Sequence, residues 1–266
     1  MAIVTISRGS YSRGRDVAEK VAERLGYECI AREVLLEAAQ QFNVPEVQLL
    51  EAVQVSPSAL DPLAQRKKKY VATIQAALLR HVRNDRVVYH GFAGHFFLRS
   101  VPHAVKVLIF ADMEQRIRIV MERDGKTFGE AAQFLENVDE QRRKWSQSLY
   151  GRDPWDPTLY DLVLNINQLT VEGATELIYR CVELPEFRAT TESIHTLEDL
   201  LLAAEVRIAL AELCADMRVH AHRGLVRVDC KAPKSEAEGL AREIERIANA
   251  VPGVTELRMD VLSFPA

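Results

Sequence analysis

The sequence predicts an α/β protein: a parallel, doubly wound sheet flanked by helices, followed by a smaller α+β unit of order αββαβ. Three observations carry this expectation. Compact apolar runs rich in β-branched residues fall at 3–6, 87–91 and 104–111, as strands buried on both faces require. Segments with helical apolar spacing alternate with them, the order that the crossovers of a parallel sheet impose. Beyond residue 196 the order becomes helix, strand, strand, helix, strand, with a hairpin signal at His222-Arg223-Gly224.

The elements follow in order. Strand 3–6 runs through Ser7-Arg8 into a polar turn, then Val17, Ala18, Val21, Ala22 and Leu25 line one face of a helix that Gly26 terminates. Residues 27–30 form a short strand. A helix over 32–42 turns Val34, Leu35, Ala38 and Ala39 inward, and Pro45 opens another before a loop at 56–62. The basic run Arg66-Lys67-Lys68-Lys69 precedes an amphipathic helix at 69–83. It reads as a solvated face or, beside a phosphate site, as a means of steering nucleotide inward. Strand 87–91 leads through a turn to a short helix at 96–99. Strand 104–111 is the most apolar stretch, Asp112 stands where helix 114–123 would be capped, and Asp124-Gly125 breaks that helix. A helix over 128–145 precedes the turn-rich loop 151–157, a strand at 160–166 and a helix at 171–181. Residues 185–196 read as a linker. The last unit comprises helix 197–213, strands 218–221 and 225–231, helix 235–250 and strand 255–262.

Composition narrows the function classes. Charged residues make up 27% of the chain and hydrophobic ones 48%, the balance of a water-exposed globular fold with a substantial core. No apolar run approaches the roughly 20 residues that span a bilayer, so no integral membrane segment is expected. The chain opens on a strand without signal-peptide architecture, and a cytoplasmic location is expected. Cys29, Cys181, Cys214 and Cys230 stand apart with no metal or redox spacing, as reduced thiols do. The net charge of −4 arises in residues 190–266, which hold 9 Lys+Arg against 13 Asp+Glu; such a balance argues against nucleic acid as a partner.

The chemistry concentrates where the first strand meets the first helix. Gly9-Ser10-Tyr11-Ser12-Arg13-Gly14-Arg15 has the two-glycine spacing of a phosphate-binding loop, with Arg15 where lysine is usual. A tight turn feeding a helix aims backbone N–H groups outward at the positive end of the helix dipole, and these bind phosphate oxygens. Asp16 replaces the hydroxyl residue that would hold Mg²⁺. The plain alternative is an ordinary strand–turn–helix capped by Ser12. His90 and His95 have no third ligand nearby, which leaves either satisfied, half-buried side chains or the wall of a pocket at a strand's carboxyl end. Arg116, Arg118 and Arg123, and then Arg142-Arg143-Lys144, flank a segment that could hinge over the loop. Phosphoryl transfer asks for such cations around the migrating group; the alternative is surface helices balanced by Glu114, Glu122, Glu136 and Glu140.

Ile6-Ser7-Arg8, Gly14-Arg15-Asp16, the segment 27–32, the strand-turn 88–94, Asp139 with Arg142, and Tyr160-Asp161-Leu162-Val163-Leu164-Asn165 occur in a familiar order. Over about residues 1–182 the chain resembles the cytidylate kinase-like family of P-loop nucleoside monophosphate kinases. The resemblance implies a P-loop kinase-like parallel sheet with flanking helices and a lid between about Arg116 and Arg152. It implies ATP on Gly9–Asp16, an acceptor nucleotide near Arg32, Gly91 and Gly94, and lid arginines Arg116, Arg142 and Arg143 clamping phosphates. Catalytic roles fall to Arg15, Arg116 and Arg142. Relatives often carry an arginine where Phe92 stands, and smaller residues at Tyr11 and Arg13. Residues 197–262, with Gly224-Leu225-Val226 and Val251-Pro252-Gly253-Val254, look like a BON domain, a small ligand- or surface-binding module.

The sequence therefore divides into a kinase-like domain at 1–184, the linker, and a BON-like domain at 197–266 suited to docking a protein or small ligand. Nothing in the latter has a catalytic pattern, and His220 and His222 read as surface residues. The leading expectation is an ATP- and Mg²⁺-dependent phosphotransferase acting on a nucleoside monophosphate, CMP above others. From another class comes a nucleotide-binding sensor without turnover, its C-terminal module relaying occupancy to a partner; Tyr11, Asp16 and Phe92 motivate it. A small-metabolite kinase is a third possibility.

Overall fold

The computed structural model describes residues 2–31, 33–42, 64–91, 93–213 and 217–264. The expected helix at Pro45, the loop 56–62, Arg32, Phe92 and Cys214 lie outside these residues. Five strands form one parallel sheet: β1 (Ile3–Arg8), β2 (Glu28–Ile30), β3 (Val87–Tyr89), β4 (Ala104–Phe110) and β5 (Leu162–Asn165), in the order β2-β3-β1-β4-β5. β1 lies at the centre, with Val4 opposite Val88 on one side and Val105 on the other. Ile3, Val4 and Ile6 are wholly buried, each contributing about 1.5–3 kcal/mol by leaving water.

Helices cover both faces, which is why the strands read as continuous apolar runs. On one side α1 (Gly14–Leu25) and α7 (Val171–Val182) pack on Val4, Ile6 and Val107. On the other, α2 (Glu33–Phe42) and α3 (Ala64–Val82) enclose Ile3, Val87 and Tyr89, together with Phe97 from the short α4 (Gly94–Phe97). Gly26 closes α1 in the left-handed conformation at φ 66°, its N–H bonding back to the helix's last carbonyls as expected. A helical arm, α5 (Met113–Asp124) and α6 (Phe128–Tyr150), rises beside the carboxyl end of β1 and shares a small core of Ile117, Val120, Ala131 and Leu135.

Three details depart from the sequence reading. The basic run lies inside α3, where Lys69 pairs with Glu212 of the C-terminal region and not with the phosphate loop. Asp112 stands before α5 but its carboxylate accepts from Asn165 and Asn167, so it ties β5 to β4 instead of capping the helix. The helix expected from 197 is α8 (Thr191–Ala209), begun earlier by a reciprocal Thr190–Ser193 capping box.

The C-terminal sheet has β6 (Arg218–His222) antiparallel to β7 (Leu225–Pro233), and β8 (Glu256–Phe264) parallel to β7. Val226, Val228, Cys230 and Ala232 alternate inward against α8 and α9 (Ala237–Ala248), while Arg227, Asp229 and Lys231 face outward. α8 also packs along α3, with Arg80–Glu205 and Arg83–Glu198 ion pairs between them. Among the described residues no helix is long and apolar enough to cross a membrane.

Candidate functional site

β1 ends at Arg8, and the chain turns through residues 9–13 before α1 begins at Gly14. The Gly9 N–H bonds to the Ile109 carbonyl of β4, and the Ser12 N–H and hydroxyl both donate to the Gly9 carbonyl. Ser12 thus closes the turn and does not cap the helix. Arg13 holds the cap position without any side-chain cap bond, so the first amides of α1 are left to the turn's mouth. Tyr11 and Arg13 adopt the left-handed region, at φ 61° and 58°, where glycine is at ease and larger residues are strained. These are the two positions at which the sequence looked too bulky.

Neither side chain fills the turn. The Tyr11 ring meets Phe134 edge-on at 6.0 Å, lies under the Arg123 guanidinium and bonds to it through the hydroxyl. Arg13 pairs with Asp16 at the surface. Arg15 also turns outward, to Glu19 at 2.7 Å, with its side chain 68% exposed. Arg116 is buried and fully engaged: Nε donates to the Ser10 carbonyl at 2.7 Å, and both terminal nitrogens grip Asp139 at 2.8 and 2.9 Å. It fastens the loop to the arm.

Beside the loop, at the carboxyl ends of β1 and β3, lies a cavity of about 150 Å³. Such a crevice is where open parallel sheets hold their ligands. Arg8 and Arg142 supply its charge, and Phe96, Trp145, Trp155 and Tyr160 its walls. Arg142, two turns from the end of α6, donates to the Arg8 carbonyl at 2.7 Å. Burial, then the neighbouring Arg8, pushes the Arg142 guanidinium down to about 10; burial, then Arg15, also lowers Arg8. Neither arginine forms an ion pair with a carboxylate of the described residues. Gly14 makes room for the Arg8 side chain, since a Cβ there would stand 2.7 Å from the Arg8 Cβ.

His95, at the start of α4, also lines the cavity. Its ring lies 4.0 Å from Phe96 and 4.8 Å from Tyr160, centroid to centroid, and Nδ1 bonds to the Ser7 hydroxyl at 2.7 Å. Burial drives its pKa down to about 3, so the imidazole is neutral. Gly91 belongs to the same wall, and Gly94 stands between its lining residues Ala93 and His95. A Cβ on Gly91 would collide with the Tyr89 hydroxyl, and one on Gly94 with the Thr5 hydroxyl, each at 2.2 Å.

The geometry thus brings Gly91 and Arg142 to one cavity, while Gly94 adjoins its lining residues Ala93 and His95 in the chain and Gly9 through Asp16 continue from Arg8 without lining it. Arg143 faces away and pairs with Asp153, 53% exposed. Arg8, Ser7 and Tyr160 are cavity residues that the sequence reading did not single out as site residues, although all three lie in the segments that carried the resemblance. Among the described residues no group of three or more His, Cys, Asp or Glu could hold a metal ion. Asp16 is the carboxylate at the start of α1.

Comparison with known proteins agrees with this architecture. Residues 3–168 match the cytidylate kinase-like family. The chain belongs to that family. A cytidylate kinase from Archaeoglobus fulgidus is 29% identical over 188 residues, covering 70% of this chain and 97% of the relative. One from Ignicoccus hospitalis is 28% identical over 181 residues, covering 68% and 98%. A solved structure of an uncharacterized protein from Eubacterium ventriosum shares the fold, with a TM-score of 0.53 and 22% identity over 69% of this chain and 99% of that one. In this member of the cytidylate kinase-like family the match ends before α7, and the C-terminal sheet lies beyond it.

Proposed function

We propose that the protein transfers the terminal phosphoryl group of ATP to a nucleoside monophosphate, with CMP the favoured acceptor. One observation carries the reading: Arg8 and Arg142, two partly desolvated guanidiniums with no ion-pair partner among the described residues, share an aromatic-walled cavity next to a phosphate-type loop. Buried cations of like sign are costly unless an anion joins them, and a planar guanidinium pairs two phosphate oxygens at once. The acceptor phosphate lies between the two arginines and its base between the aromatic walls.

In this reading the amides of residues 9–15 and the uncapped start of α1 hold the donor's phosphates. An acceptor phosphate oxygen attacks the γ-phosphorus, the bond to the bridging oxygen breaks, and ADP leaves. The attacking oxygen is already ionised, so no general base is needed. Arg142 and Arg8 offset the charge of the migrating group. Arg116 positions the loop through Ser10. Arg15 reaches the donor by leaving Glu19, which an exposed, water-screened pair permits. Magnesium would be held largely by the phosphates and water and would help neutralise the phosphate charge; Asp16 stands where the loop's usual hydroxyl ligand would be. Arg32 completes the acceptor side by similarity, and Arg143 would join it only by leaving Asp153, to which it is paired at the surface.

The test is a coupled assay of each nucleoside monophosphate with ATP and Mg²⁺. Turnover of CMP that falls about 100-fold or more in Arg142→Ala supports the proposal, that being the scale for losing one transition-state charge partner. No turnover of any nucleotide overturns it.

A second reading, a sensor without turnover, has its own observation. A cleft of about 910 Å³ opens between α3, the end of α6 and the C-terminal sheet, lined by Arg207, Arg218 and Tyr150 among others. The Tyr150 ring stacks at 4.2 Å on Phe96, which walls the first cavity. The Phe96–Tyr150 pair thus links the walls of the two spaces, the connection that a BON-like relay module would use. Tight ATP binding by calorimetry without turnover favours the sensor.

A further inference from the structure

Residues 190–266 hold fewer cations than carboxylates, and away from the larger cleft several of their arginines are paired: Arg223 with Glu192, Arg246 with Glu243 and Arg258 with Glu256. The cleft of about 910 Å³ reverses that balance. Five cations line it, Lys68 of α3, Arg207 of α8, Arg218 of β6, and Arg227 and Lys231 of β7, against two carboxylates, Asp229 and Asp260. The two aspartates stand side by side in the register of β7 and β8, and Arg227 answers both, at 2.8 and 3.8 Å. Arg207 and Arg218 have no ion pair among the described residues. Arg218 is exposed at the start of β6, whereas Arg207 is half-buried near the end of α8. The hydrogen bonds of Arg207, to Gln75 Oε1 at 3.5 Å and the Val219 carbonyl at 3.4 Å, are both long. Burial pushes its guanidinium below arginine's ordinary value. Such a cation is costly until an anion joins it.

We infer that this cleft is a second anion site, in which Arg207 and Arg218 bind a compact polyphosphate, free or carried on a nucleoside. Lys68 and Lys231 add to the field, and walls of one sign around a cleft concentrate counter-ions in it. Five cations against two carboxylates call for more negative charge than one carboxylate supplies. Planar guanidiniums suit phosphate because each can meet two of its oxygens. The volume falls within the roughly 300–1,000 Å³ usual for ligand sites, and Val71, Leu149, Met217 and Leu262 offer an apolar strip to whatever the phosphates carry. None of residues 9–16 lines the cleft, so the site is separate from the phosphate loop. It binds its ligand whether or not the first cavity turns over nucleotide.

Methionine methyl NMR on the full chain tests it, because Met217 lines the cleft while Met121 packs in the helical arm. Titration with inorganic tripolyphosphate, and in parallel with CTP, should shift the Met217 methyl to saturation. Arg207→Gln keeps a polar side chain without the charge and should weaken the midpoint about 10-fold or more, the scale of one charge-assisted hydrogen bond. Arg218→Glu should do the same from an exposed position that leaves the core alone, so the test survives a misfolded Arg207 variant. CTP binding about 10-fold tighter than tripolyphosphate assigns the apolar strip to a nucleoside, whereas equal midpoints assign the site to the bare polyphosphate. A Met217 methyl that neither ligand moves, or a midpoint that both variants leave unchanged, overturns the site. Arg142→Ala separates it from the first cavity: the Met217 response should persist there, and its loss would mark a distant effect of that cavity and overturn the second site. Absence of CMP turnover in wild type with the Met217 response intact would remove the kinase reading alone.

Discussion

Arginines in this protein live in two settings. On the loop and the helical arm they are paired: Arg13 with Asp16, Arg15 with Glu19, and Arg116 with Asp139 while it grips Ser10. In the cavity they are not: Arg8 and Arg142 both line it, Arg142 donates only to the Arg8 carbonyl, and neither has an ion pair among the described residues. A paired buried arginine is spent on holding structure, whereas an unpaired one is stored capacity for an anion. Substitutions on the two sides should therefore fail in different ways.

The largest effect is expected from Asp139→Ala. It strands the Arg116 guanidinium without its carboxylate, which should cost about 3–5 kcal/mol in urea unfolding and loosen the loop. A loss below about 1 kcal/mol would place Arg116 among the spare cations instead. Next comes Arg142→Ala, with kcat/KM down about 100-fold and little loss of stability, because removing one of two crowded cations relieves the other. The reverse split, stable activity and lost stability, would dissolve the contrast.

The third effect is one of pH. His95 titrates near 6.5 when unfolded and near 3 when folded. The unfolded chain therefore binds a proton that the native one does not, across that interval. Stability present above about pH 6.5 is lost as pH falls toward 3, by up to about 1.4 kcal/mol per pH unit. Chemical denaturation at several pH values should show a slope that His95→Gln flattens. The smallest effect belongs to the loop backbone: Arg13→Gly relieves a left-handed residue at the expense of unfolded-state entropy, for a gain of about 1 kcal/mol or less. Thermal melts that fall instead would assign Arg13 a stabilising role beyond Asp16.

How much of this was legible in sequence follows the same division. The central strands could be read because burial on both faces leaves an apolar run, as in Ile3–Ile6 and Val105–Phe110. The loop could be read because glycine spacing is local. What could not be read was pairing at a distance. Nothing local says that Arg116 is bound to Asp139, or that Arg8, which closes an apolar strand, turns into a cavity made by α4 and α6. The plain alternative, a helix capped by Ser12, does not hold, because a hydroxyl before a helix can bond backward as well as forward, here to Gly9. The basic run read as a solvated face or as a means of steering nucleotide, and nothing local said that Lys69 pairs with Glu212, far along the chain.

The central claim is that the unpaired arginines hold a phosphate. Titration calorimetry of CMP against cytidine, in wild type and in Arg8→Ala, tests it most directly. The account predicts that wild type binds CMP far more tightly than the phosphate-free nucleoside, and that the gap closes in the variant with cytidine affinity unchanged. Equal binding of CMP and cytidine by wild type would contradict it.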